Sequence, residues 1–157
     1  MSYPNIKNRG IGGDVTEGVL ARIDEITYFK PKAVFLLIGI NDLWNNTPNV
    51  PSVKYISSNI IKISNVINKI SPNTKIYIQT ILPVEKEIYK ENIISINSIL
   101  KQAQNKNPYK IIDLYSVFVN DQGTIKSDLS TDGIHLSEKG YDVWTNFIKP
   151  TILSMKQ

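Results

Sequence analysis

The sequence contains no cysteine, which excludes a disulfide framework and any thiolate nucleophile or ligand. It holds a single histidine, too few for the usual tetrahedral zinc set, so neither a metal nor a cofactor is expected. Arginine occurs only at Arg9 and Arg22, and the net charge of +4 comes mainly from lysines scattered along the chain. That pattern reads as a solvated surface and not as a nucleic-acid face. No apolar run approaches the roughly 18 residues of a membrane span, and the amino end shows no charged-then-apolar leader. A Walker pattern is absent, and Gly10-Ile11-Gly12-Gly13 fails as a dinucleotide fingerprint because Val15 stands where a small residue is needed. What is present is 157 residues, 41% of them hydrophobic and 20% charged, which suits one packed domain.

Hydrophobic periodicity divides the chain into alternating strands and helices. Residues 5–9 read as a short first strand. Asp14 with Glu17 resembles a capping box opening a helix whose stripe is Val19, Leu20, Ile23 and Ile26, closed before Pro31. Residues 33–38 form a continuous apolar run of strand length, as expected of a strand buried on both faces. Residues 51–70 place Val53, Ile56, Ile60, Ile63, Ile67 and Ile70 at steps of three and four, an amphipathic helix. Strands are expected at residues 75–82 and 110–115. Helices are expected at residues 85–103, with Ile96, Ile99, Leu100 and Ala103 inward, and from an N-cap at Ser137, with Val143, Trp144, Phe147 and Ile148 inward. The alternation predicts an α/β domain with a parallel sheet, whose sites lie at the carboxyl ends of the strands.

Three polar clusters fall at such ends. Residues 10–14 bring glycine N–H groups to a helix start, which suits either an anion or oxyanion site or a plain tight turn. Gly39-Ile40-Asn41-Asp42 follows the most apolar strand. Here Asn41 offers an amide donor to a developing oxyanion and Asp42 a carboxylate that fixes the loop through backbone N–H groups, while Asn-Asp is also ordinary turn chemistry. Asp132-Gly133-Ile134-His135 spaces a carboxylate and an imidazole three apart, as an orienter and a general base require. Residues 43–50, with Trp44 and Pro48, are expected to form a rim whose aromatic stacks on a sugar or covers an acyl chain.

Taken together, Asn8-Arg9-Gly10-Ile11 through Asp14, Gly39 through Asp42, and Asp132 through Tyr141 resemble the motifs of the SGNH hydrolases, the GDSL-type esterases and lipases. Within them the Gly10-Ile11-Gly12-Gly13-Asp14 turn is similar to the platelet-activating-factor acetylhydrolase-like group. The resemblance implies a three-layer α/β/α, flavodoxin-like fold over residues 1–157. It implies Gly13 and Asn41 in an oxyanion hole, His135 as general base and Asp132 as its orienting partner. The implied substrate is a small ester, most simply an O-acetyl group on a sugar or lipid alcohol, with no nucleic-acid partner and with room for a homo-oligomer. One element departs: the family's nucleophile lies in a Gly-Asp-Ser motif after the first core strand, and no Gly-Asp-Ser occurs here. A G-x-S-x-G elbow is absent too. Ser2, Ser116 and Ser130 read as terminal, strand-end and loop hydroxyls. The expectation is therefore a domain truncated at its amino end and lacking the first core strand, one whose chemistry is completed by another subunit, or one that has become a non-catalytic ester- or carbohydrate-binding protein. Residues 5–9 should then detach or pair elsewhere, or a partner chain should fill that strand's slot.

Overall fold

The computed structural model describes residues 6–44 and 52–155. In chain order the elements are α1 (Thr16–Ala21), α2 (Asp24–Phe29), β1 (Ala33–Leu36), α3 (Ile40–Trp44), α4 (Val53–Ile70), β2 (Lys75–Gln79), α5 (Lys90–Ala103), β3 (Lys110–Ile112), α6 (Tyr115–Phe118) and α7 (Glu138–Leu153). The strands form one parallel sheet in the order β1-β2-β3, with Leu36 level with Ile78 and Ile78 level with Ile111. All three strands therefore end at the same edge.

Alternation along the strands sorts side chains between two faces, because successive Cβ atoms point oppositely. Val34, Leu36, Ile76, Ile78 and Ile111 join a core with Ile56, Ile60, Ile63 and Ile67 of α4 and Ile93, Ile96 and Leu100 of α5. Ala33, Phe35, Tyr77 and Ile112 join a second core with Phe118 of α6 and Val143, Trp144 and Ile148 of α7. Phe35 stacks on Tyr77 at 4.9 Å between ring centroids. Helices thus cover both faces, the three-layer α/β/α arrangement expected from the sequence.

Several expectations need correction. Residue 5 lies outside the described residues, and residues 6–9 form no strand of their own; in agreement with the expected lack of a first core strand, nothing among the described residues pairs with the free edge of β1. The helix expected from Asp14 is two short helices, and the first has Val15 and not Asp14 as its N-cap residue, with no capping bond from that residue's side chain. The Asp14 carboxylate instead accepts from its neighbour's N–H at Val15 and from Arg22, whose guanidinium also donates to the Arg9 carbonyl. The strand expected to reach residue 82 ends at Gln79, and that expected to reach 115 ends at Ile112. There Thr80 Oγ1 accepts from Tyr115 N–H and donates to Asp113, turning the chain into α6. Residues 85–89 stay out of α5 because Glu85 N–H donates to the Gly133 carbonyl. Phe147 of α7 is 42% exposed and not inward, since a three-stranded sheet about 10 Å across is too narrow to cover the helix's whole apolar stripe. The N-cap at Ser137 is as expected, its hydroxyl accepting from Gly140 N–H at 3.1 Å.

Candidate functional site

Gly39 ends the run after β1 with φ +120, a backbone region that excludes a side chain, and a Cβ there would meet Ile81 Cδ1 at 2.8 Å. This tight exit starts α3, which carries Asn41 and Asp42. Asn41 is half-buried and its Nδ2 donates to the Asp14 carbonyl at 2.9 Å, leaving its second amide hydrogen without a partner among the described residues. Asp42 is buried and accepts from Thr16 N–H at 3.0 Å and from Thr16 Oγ1 at 2.6 Å. Asn59 of α4 donates to the same Thr16 hydroxyl at 3.1 Å. Burial pushes the Asp42 carboxyl up from its ordinary pKa, against the lowering effect of the Thr16 bonds. Thr16 was not singled out in the sequence; its signal is a lone hydroxyl opening a helix, and its partner lies 26 residues away.

These bonds bring the first two clusters together. Residues 11–14 form a turn closed by Asp14 N–H on the Ile11 carbonyl at 3.2 Å, with Gly13 at φ +76. The Gly13 N–H is uncommitted among the described residues, and a Cβ at Gly13 would meet nothing within 4 Å. An uncommitted backbone donor and an uncommitted amide hydrogen therefore flank Asp14, held by side chains from three separate elements.

The third cluster is a pinned loop. Asp132 Oδ1 accepts from Ile134 N–H at 3.0 Å and His135 N–H at 2.8 Å, while Oδ2 meets His135 Nδ1 at 2.7 Å. The His135 bond, followed by the two backbone bonds, holds the Asp132 carboxyl down at about 2. Ser130 accepts from Gly133 N–H and donates to the His135 carbonyl, both at 2.8 Å, so its hydroxyl closes the loop. Ser116 donates to the Asp113 carbonyl at 3.0 Å. Gly133, at φ +83, lies so close to Glu85 that a Cβ would overlap its side chain. The loop is thereby pressed onto the segment following β2, and Ile134 packs against the core shared with Leu43 and Trp44. Each cluster thus sits beyond the carboxyl ends of the strands.

Of the expected rim, residues 45–50 lie outside the described residues. Leu43 is 2% exposed and belongs to the core, because α3 turns it inward. Trp44 is half-buried, stacked on Tyr89 and covered by Lys86. Among the described residues no group of acidic and histidine side chains has the makings of a metal site, and no helix is long and apolar enough to cross a membrane.

The family model described as GDSL-like lipase/acylhydrolase matches residues 2–143. A Bacteroides fragilis protein provisionally assigned as an acylhydrolase is 28% identical and superposes with a TM-score of 0.81, over 95% of this chain and 74% of that one. A GDSL-like lipase from Bacteroides thetaiotaomicron is 27% identical with a TM-score of 0.77, over 93% and 74%. An acetyl xylan esterase at 19% identity and a TM-score of 0.76, over 91% and 78%, shares the fold. No curated protein matches the sequence. With the model spanning all three clusters and the fold agreeing, the chain belongs to the GDSL-like lipase/acylhydrolase family.

Proposed function

We propose that this chain carries the general-base and oxyanion parts of a serine ester hydrolase acting on short acyl esters, such as O-acetyl groups on a sugar or lipid alcohol. The observation that carries the reading is the 2.7 Å contact between Asp132 and His135 Nδ1, which leaves Nε2 as the proton acceptor. In this reading a serine Oγ attacks the ester carbonyl and His135 Nε2 takes its proton. Asp132 stabilises the imidazolium, while Gly13 N–H and Asn41 Nδ2 receive the oxyanion, each donor worth about 3–4 kcal/mol. His135 returns the proton to the departing alcohol, and water then releases the acyl group by the same route.

The serine stands outside the residues with assigned roles. No Gly-Asp-Ser occurs in the 157 residues, and Ser116 and Ser130 are engaged with backbone carbonyls. The free edge of β1 is where a further parallel strand would fit, and such a strand would end beside Gly13 and Asn41. The same lack of Gly-Asp-Ser favours one second reading, a protein that binds esters or carbohydrates without cleaving them.

Hydrolysis of p-nitrophenyl acetate tests the first reading. The 157-residue chain should not exceed its His135→Ala variant, whereas a chain extended at its amino end by a strand closing in Gly-Asp-Ser should gain turnover. In the extended chain His135→Ala should remove most of kcat and Asn41→Ala should lower it on the order of a hundredfold. Turnover indifferent to His135 and Asn41 would refute the assignment.

A further inference from the structure

Lys86 places its ammonium 4.2 Å from the centroid of the Trp44 ring. The same indole stacks on buried Tyr89, with centroids 4.8 Å apart and planes at 26°. The indole is thus engaged by both a ring and a cation, and the exposed Lys86 presents that cation to solvent on an aromatic support. Three placements put this cation between the two halves of the site. Trp44 ends α3, the helix that carries Asn41. Lys86 follows Glu85, whose N–H holds the Gly133 carbonyl beside Asp132 and His135. Both residues lie beyond the carboxyl ends of β1 and β2, where open α/β sheets bind ligands.

The charge on Lys86 is available. The side chain is exposed and makes no ion pair among the described residues. Residues 45–51, which follow Trp44, include no carboxylate, and the neighbouring Glu85 side chain lies against Gly133. Resting on the ester-hydrolase reading above, we propose that Lys86, carried on Trp44, binds an anionic group of the substrate. A short acyl group has no place for a charge, so the anion belongs to the alcohol: the substrate class is an acylated sugar that bears a carboxylate or a phosphate.

The test follows the Trp44 indole N–H by 15N–1H spectroscopy of the chain titrated with galacturonate, glucose 6-phosphate and neutral galactose. At least one of the two anions should bind about three- to fivefold more tightly than galactose, the scale of one partly exposed ion pair; which of them does so separates carboxylate from phosphate. Lys86→Gln should abolish that preference and Lys86→Arg should keep it. Equal binding of galactose, an undiminished preference in Lys86→Gln, or no response to either anion would overturn the proposal. None of the three probes is an ester, so the titration reads this subsite independently of hydrolysis, and the uncharged p-nitrophenyl acetate reads the hydrolase assignment independently of the anion.

Discussion

His135 owes its orientation to Asp132, and Asp132 owes its low pKa first to His135. A carboxyl held at about 2, below its ordinary 3.8, stabilises the folded loop fully above the ordinary value. That contribution fades as pH falls from 3.8 to about 2. Both side chains are largely exposed, 76% for His135 and 51% for Asp132, so the effect is on the order of the loop and not on the whole fold. A carboxyl-carbon NMR titration should place Asp132 near 2. In His135→Ala it should rise toward 3.8 without reaching it, because the backbone donors at Ile134 and at position 135 remain. An Asp132 midpoint already at 3.8 in the unaltered chain would contradict the contact. Asp42 goes the other way, raised by burial, and its part in the site is mechanical: it ties Thr16 and the residue 11–14 turn to the helix bearing Asn41. That a carboxylate next to Asn41 fixes the loop through a backbone N–H was legible from residue type and place. That the N–H belongs to Thr16 was not, because the partner comes from a separate turn.

Legibility differs in kind from element to element. The helix α4 was plain because Ile56, Ile60, Ile63 and Ile67 repeat at helical steps and all four are at most 1% exposed. Residues 14–30 misled because one apolar stripe runs across two helices, the break being made by Arg22 reaching back to Asp14 and Arg9. Gly140 looks like a poor choice for the first turn of α7, yet a Cβ there would overlap the Leu129 carbonyl, so the close approach requires glycine. Asn97 gave no signal at all. It is buried inside α5, where its amide accepts from Ile81 N–H at 2.8 Å and donates to the Ile81 carbonyl at 2.9 Å. The side chain replaces a neighbouring strand for the segment leaving β2. Asn97→Ala should strand both backbone groups and lower the free energy of unfolding by about 2–4 kcal/mol, measured by urea denaturation. A loss below about 0.5 kcal/mol would show that Ile81 has another partner.

At the scale of the molecule the parallel sheet, its two covered faces and the placement of three clusters at one edge follow from the alternation of strand and helix patterns. The free edge of β1 was legible only through the family resemblance, from the absent Gly-Asp-Ser that should follow a first core strand, since strand order depends on pairing between segments and local periodicity carries no record of it. That edge links the fold to the chemistry, because base and oxyanion donors have value only if a nucleophile reaches them. The most direct test is fluorophosphonate labelling followed by peptide mapping, on the 157-residue chain and on the same chain extended by a strand ending in Gly-Asp-Ser. No label is expected on the first, and on the second a single label at the added serine that disappears in His135→Ala. A label on Ser116, Ser130 or any other serine of the unextended chain, dependent on His135, would contradict this expectation.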